Sequence, residues 1–358
     1  MKHKLYPNPS IVFHLSEDGI VAINAFTKDE FDLTDAYFSR LKFWNGQCSD
    51  KLNDIDRDLL EGGLVLEEPA DDSVWGGDKL SEICHFAMRT SMIPSLSEEE
   101  SARQFVEMSR EKPAGLARFQ PEIISWVDLP EADLTKIKQD SLYSSLKNRK
   151  TSRDFDGTAI TAQELSDILF TSFGYIHGQK WAELAEDDLN TVAERKSSPS
   201  GSGVQSCDAF LAIVNVKGIE SGYYFYDAKG HKLGLLSQGC DDAAISHIMV
   251  DQFWVKGAAC GIFITVDMNR VWYKTPFARA YGYVFLEAGH ISQTALLSAT
   301  SLGLKTWLSG SMRDEFIAEK FGVDGMRLFP VTAVFVGHGS DNAVPARVRD
   351  MVMKLRQK

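Results

Sequence analysis

The chain reads as an α+β protein with a central mixed sheet flanked by helices, preceded by a small winged-helix-like domain. Three observations predict it. Near the N-terminus, short apolar runs with turn residues between them give way to a helical pattern that stops at Gly62-Gly63. From about residue 140 to 340, long helical patterns and buried strands alternate in one stretch. The 358 residues are 44% hydrophobic and 25% charged, the make-up of a packed globular chain with length for two or three units.

In order, Ile11–Leu15, Ile20–Asn24 and Glu30–Leu33 form a meander, turning at Glu17-Asp18-Gly19. A helix over Asp35–Trp44 follows, with apolar Tyr37, Phe38, Leu41 and Trp44, and then a second over Ile55–Glu61. Leu64-Val65-Leu66 closes a domain of residues 1–70. A strand edge beside a helix can accept an extended peptide as an added strand, and Ile23, Phe31 and Leu33 are the candidate contacts. Residues 71–140 read as a helical linker, with a helix over Lys79–Met88 and an acidic one after Ser95. Its Glu98-Glu99-Glu100 run suits the first turn of a helix, where carboxylates favour the dipole. Residues 141–358 form the main domain.

Composition removes several classes. The net charge is −12, from 38 basic and 50 acidic side chains, which opposes nucleic-acid binding. No apolar run is long enough to span a membrane, and the N-terminus lacks a secretory signal, so a cytoplasmic protein is expected. Cys48, Cys84, Cys207, Cys240 and Cys260 are odd in number and contain no C-x-x-C pair, which indicates neither disulfides nor a metal site.

The candidate chemistry lies in the main domain. Lys147-Asn148-Arg149-Lys150-Thr151-Ser152-Arg153 is the densest cationic cluster, and its two forked guanidiniums suit a phosphate. Ser197–Gln205 is a small-residue loop before a buried strand, able to bring backbone close to a flat ligand. The aromatic strand Gly222–Asp227 reads as core packing. A long helix runs from Arg279 to Leu302 with Glu287 and His290 on one face, and Gly303 stops it. Val334–Gly339 ends another buried strand.

Taken in order, Arg-Lys-Thr-x-Arg-x-Phe, Ser-Pro-Ser-Gly, Gly-x-Tyr-x-Tyr-Asp, Glu-Ala-Gly-His, Gly-Leu and Val-Gly-His-Gly resemble the nitroreductase-like flavoenzymes, specifically the SagB-type (McbC-like) peptide dehydrogenases. The likeness covers about residues 120–340, and residues 8–68 resemble the peptide recognition elements that some members carry. It implies a nitroreductase-like fold and FMN bound in a homodimer. Arg149, Lys150, Thr151 and Arg153 would hold its phosphate, ribityl chain and pyrimidine edge; Pro199, Ser200, Gly201 and Ser202 would lie along its rings. Gly303, Leu304 and Gly310 would cover another side, with Arg347 or Arg349 completing the phosphate site.

The implied reaction is a two-electron dehydrogenation of a ribosomally made, modified peptide, such as azoline to azole. Its implied partners are a precursor peptide, with leader and core, and pathway enzymes such as a cyclodehydratase. One departure bears on the base. Azole-forming relatives carry a Lys-Tyr pair where this chain has Thr275 and Pro276, and the nearest substitutes are Tyr273 and Lys274. A proline cannot take a proton, so either that neighbouring pair acts or the substrate is not an azoline. An NAD(P)H-dependent nitroreductase or quinone reductase and a noncatalytic leader-binding scaffold are the competing readings.

Overall fold

The computed structural model describes residues 2–17, 19–70, 75–89, 96–111, 119–177 and 195–357. Two compact units share the chain, Met1–Leu96 and Ser97–Lys358.

In the first unit, β1 (Tyr6–Pro7) is followed by β2 (Ile11–Ser16), β3 (Gly19–Asn24) and β4 (Glu30–Leu33), an antiparallel sheet with β3 in the middle. Helices α1 (Asp35–Phe43) and α2 (Asp54–Glu61) follow, then β5 (Val65–Leu66), paired with β1, and α3 (Lys79–Met88). Leu5, Ala22, Leu41, Trp44, Leu59, Leu64 and Val65 make a small core. At its edge Asp56 is 0% exposed, yet it is fully partnered. It accepts from Arg40 Nε at 2.6 Å and NH2 at 2.7 Å, from Trp44 Nε1 at 2.7 Å and from the Asn53 amide at 2.9 Å. Burial alone would push its carboxyl up, but these donors hold it below its usual value. The same Asp56 and Asn53 form the capping box that starts α2.

The second unit runs α4 (Glu98–Glu111), β6 (Ser125–Asp128), α5 (Thr135–Gln139), α6 (Leu142–Asn148), β7 (Ile160–Thr161), α7 (Ala162–Phe173), β8 (Cys207–Ile213) and β9 (Val216–Lys217). It continues with β10 (Gly222–Asp227), β11 (Lys232–Gln238), α8 (Asp242–Ile248), β12 (Cys260–Asp267), α9 (Met268–Lys274) and α10 (Arg279–Ser301). It closes with β13 (Lys305–Ser309), α11 (Asp314–Phe321), β14 (Leu328–Gly337) and α12 (Ala346–Arg356). Seven strands form one sheet in the order β13-β14-β12-β8-β10-β11-β6. Within the stretch 71–140, therefore, Ser125–Asp128 supplies the outer strand of this sheet.

The six ladders of the sheet are antiparallel. One isolated parallel bridge, Thr151 to Thr306, lies on the β13 edge. All seven residues of β8 and all eight of β12 are buried, because helices cover both faces. Alternation divides their side chains. Ala209, Leu211 and Ile213 join a cluster with α7 and α10, while Phe210 and Ala212 face a cluster with α8 and α11. The aromatic strand β10 divides the same way, with Tyr224 and Tyr226 on one face and Tyr223 and Phe225 on the other.

Helix α10, about 34 Å long at 1.5 Å per residue, lies against α7, where Thr171 Oγ1 donates to Ser298 Oγ at 2.9 Å. A polar clasp ties the β10–β11 turn to α7. His231 Nδ1 is 2.8 Å from Tyr226 Oη, and its Nε2 is 2.7 Å from Ser166 Oγ, which itself donates to Pro130 O at 2.7 Å.

Candidate functional site

The basic segment starts where α6 ends. Ser141 caps that helix by accepting the Ser144 amide at 3.0 Å, and Arg149 is its last-turn neighbour. The next residues run along β13, with the Ser152 amide donating to Thr306 O at 2.9 Å and Ser152 Oγ to Ser340 O at 2.7 Å. Gly339, at φ +158, packs so closely on the Asp154 carbonyl that a Cβ would sit 2.2 Å from its oxygen. Glycine is required there, and the segment is pinned between β13 and the turn after β14.

The four basic-segment candidates then differ. Lys150 Nζ stands 3.3 Å from Asp341 Oδ2, and Lys305 Nζ bonds the other oxygen of that carboxylate. These two lysines, Lys305 foremost, hold the Asp341 carboxyl below its usual value. Arg153 NH1 donates to Ala343 O at 3.1 Å, and its guanidinium lies 5.8 Å from the Trp254 ring centre, so it ties down the chain after β14. Arg149 is half-buried and makes no ion pair or side-chain hydrogen bond among the described residues. Thr151 is exposed beside Thr306, whose buried Oγ1 has no hydrogen-bond partner among the described residues.

Gly303, at φ +83, ends α10, and the Leu304 amide turns back to Ala299 O at 2.9 Å. This turn sets Lys305 and Thr306 beside the basic segment. Gly310 is exposed just past β13, and Arg347 lies on α12 with its side chain outside the described residues. Lys305 was not singled out in the sequence; its place directly after the Gly-Leu helix stop is the signal that could have found it.

The small-residue loop is built around Glu287, a carboxylate 3% exposed on α10. Glu287 Oε2 accepts from Ser200 Oγ at 2.6 Å and Ser206 Oγ at 3.0 Å, and its Oε1 accepts from the Cys207 amide at 3.1 Å. Ser200 Oγ in turn accepts the Gln205 amide at 2.9 Å. Gly201 lies against Tyr283, where an added Cβ would be 3.3 Å from the ring. Ser202 is left-handed at φ 51, a conformation costly for most side chains. Pro199 is exposed at the loop's outer side.

Helix α9 grips the far end of this loop. Lys274 Nζ donates to Ser202 O at 3.2 Å, and Arg270, one turn earlier on the same face, donates to Val204 O. Burial first, and the Arg270 charge second, lower the Lys274 ammonium to about 8. Tyr273 is half-buried beside it. Thr275 caps the helix and Pro276 follows it, so the lysine meeting the loop is Lys274. Glu287 and His290 do not act as a pair, since Glu287 is committed to the loop and His290 is exposed.

Within one chain the two halves of the constellation lie at different stations along α10. The loop is anchored at Glu287, whereas α6, which leads into the basic segment, meets the helix near Ser301, where Ser145 Oγ is 2.9 Å from Ser301 Oγ. Fourteen residues of helix separate these anchors by about 21 Å along the axis.

The peptide candidates lie in the first unit. Ile23 sits on the central strand β3, paired with both Val12 and Glu30. Phe31 and Leu33 pack against the small core, with the Phe31 ring over Gly62. Both outer strands, β2 and β4, lack a further strand partner among the described residues, and the groove lies on the β2 side. A cavity of about 500 Å³ is lined by Ile11 and Phe13 of β2, Phe38, Leu41 and Lys42 of α1, and Leu64. Among the described residues β2 pairs only with β3, and Phe13 touches Phe38 edge-on at 5.6 Å.

A family model described as the nitroreductase family matches residues 146–338, more than half of the chain and all of the site from Lys147 to His338. The chain belongs to the nitroreductase family. A Methanocaldococcus jannaschii protein described as a nitroreductase is 27% identical over 197 residues, covering 54% of this chain and 89% of the relative. A solved nitroreductase-named structure from Anabaena variabilis is 19% identical with TM-score 0.49 over 69% of this chain. This nitroreductase-family chain spans 49% of its length. The E. coli microcin synthetase McbBCD complex, solved with truncated pro-MccB17 bound, is 18% identical with TM-score 0.44, covering 69% of this chain and 99% of that chain. No helix among the described residues of this nitroreductase-family chain is long and apolar enough to cross a membrane.

Proposed function

We propose that this nitroreductase-family oxidoreductase uses FMN to remove two electrons from a modified ribosomal peptide, by azoline-to-azole oxidation or a related dehydrogenation. The observation that carries the peptide reading is the first unit. It has its own core, a free β2 edge and an apolar groove of about 500 Å³, none of which a small-molecule reductase needs. The docking contacts move accordingly from Ile23, Phe31 and Leu33 to Phe13, Phe38 and the β2 backbone.

The site residues fit FMN. Among the described residues Arg149 offers a guanidinium with no ion pair, Lys150 and Lys305 share the one Asp341 carboxylate, and the buried Thr306 hydroxyl has no partner. The Ser200–Gly203 backbone offers the close approach a flat ring needs, held there by Glu287. FMN, when bound, supplies the two-electron acceptor. Lys274 would take the substrate's Cα proton. With its ammonium lowered to about 8, about one-tenth is neutral at pH 7, some 300-fold more than for an ordinary lysine.

The 21 Å separation along α10 supports a site shared between two copies, with the basic segment of one facing the loop of the other. Apolar Leu142, Tyr143, Phe285 and Leu286 are exposed on α6 and α10, as a paired surface requires.

The test is the visible spectrum of the purified protein, followed anaerobically on adding precursor peptide or NADPH. Bleaching of flavin absorbance by peptide alone is the expected result. Bleaching by NADPH alone would make the protein a conventional reductase, and a colourless protein would make it a scaffold.

A further inference from the structure

Helix α9 has a second face. Arg270 and Lys274 hold the serine-glycine loop, while Met268 and Trp272, also four residues apart, line a separate cavity of about 490 Å³. Its other walls are Tyr281 at the start of α10, Met326 before and Phe329 on β14, and Asp314 in the first turn of α11. Tyr281 and Phe329 are stacked, with ring centres 6.2 Å apart and planes at 28°.

Much of the lining is exposed. Trp272 is 39% and Met326 83% exposed. Met326 is not on a loose turn, because Asp324 Oδ1 accepts the amides of Met326, Arg327 and Leu328 at 2.9, 2.7 and 2.9 Å. A fixed wall that keeps large apolar side chains in water is the mark of a binding surface.

Charge selects the occupant. Asp314 makes no ion pair or side-chain hydrogen bond among the described residues, and burial and the neighbouring Glu315 raise its carboxyl. The nearby arginines are turned elsewhere, Arg313 to Asp251 at 2.6 Å and Arg327 to Asp267 at 3.6 Å. The dipole of α11 offsets part of the Asp314 charge, but the carboxylate has no ion pair among the described residues, and together with the aromatic faces it favours a cation.

We propose that this cavity binds the ammonium or guanidinium of a basic side chain carried by the peptide substrate. The assignment to a peptide rests on the function proposed above; the preference for a cation does not.

The test is calorimetric titration of the purified full chain with N-acetyl-lysine methylamide, its uncharged norleucine counterpart and n-butylammonium. The lysine compound is expected to bind at least about tenfold more tightly than norleucine. Asp314→Asn should remove most of that preference, Trp272→Ala should weaken both, and Trp272→Phe should restore binding, which separates a lost ring face from a lost fold. Equal binding of the lysine and norleucine compounds, no binding of either, or full preference in Asp314→Asn would overturn the cation site. Equal binding of n-butylammonium would overturn the peptide source. Because no turnover is read, failure here leaves the flavin reading standing, and failure of peptide bleaching leaves the cation site standing.

Discussion

Replacing Glu287 by Gln tests whether one buried carboxylate organises the serine-glycine loop. The change keeps volume but halves the accepting capacity. A Gln oxygen can keep the Cys207 amide, but its NH2 group would then face Ser200 Oγ and Ser206 Oγ, both donors to Glu287. Ser200 has little freedom to turn, since its oxygen already accepts the Gln205 amide. Two charge-assisted bonds become neutral or are lost, at about 1–1.5 kcal/mol each, so the cost is about 2–3 kcal/mol. For a unit of this size that corresponds to a melting shift of about 4–12 °C. Glu287→Ala, which orphans every donor and leaves a cavity, should cost about 3–5 kcal/mol. The assay is thermal melting together with the ratio of flavin to protein after gel filtration. Glu287→Gln should lower both, with the loop's grip on flavin failing before the unit unfolds. A Glu287→Gln protein that melts within about 1 °C of the parent and keeps its full flavin would refute the anchoring argument.

Arg149→Ala should lower FMN occupancy with little change in apoprotein stability, read from absorbance and melting; full yellow colour would reject the phosphate assignment. Turnover of peptide should rise with pH through about 8, the Lys274 value, and Lys274→Met should abolish that limb while leaving flavin bound; an unchanged profile would remove Lys274 as the base. Asp56→Ala leaves Arg40 and Trp44 facing no acceptor and should destabilise the first unit by about 3–5 kcal/mol without changing flavin content, as calorimetry would record. Because the folded Asp56 carboxyl is lowered, its contribution is present above about pH 4 and lost as pH falls through the folded value. The His231 imidazole is lowered chiefly by burial, so the unfolded chain takes up protons first. Stability should therefore fall as pH drops below about 6.5, and a His231→Asn protein with the same pH slope would count against that clasp.

Local pattern foretold local structure well. The aromatic strand Gly222–Asp227 and the helix from Arg279 appear where the sequence puts them, and Lys79–Met88 is helical throughout. These elements are decided by neighbours in sequence. What was not legible depends on distant partners. Glu287 and His290 share a helical spacing, but Glu287 is committed to Ser200, 87 residues away. Alternation marks Phe31 and Leu33 as one face of a strand, yet it does not say that α1 and α2 cover that face. The antiparallel order of the large sheet is equally non-local, as β6 joins it across more than 100 residues. That Lys274 bonds Ser202 depends on where α9 ends and on a residue 72 positions away in the chain.

The β2 strand carries a colloidal consequence. Its outer backbone groups have no strand partner among the described residues, and it ends in Phe13 and in Leu15, 82% exposed. Such an edge templates the same strand of another molecule as readily as it does a peptide. Concentrated protein without peptide should therefore self-associate through this strand, and a short peptide that fills the edge should act as a solubiliser before it acts as a substrate.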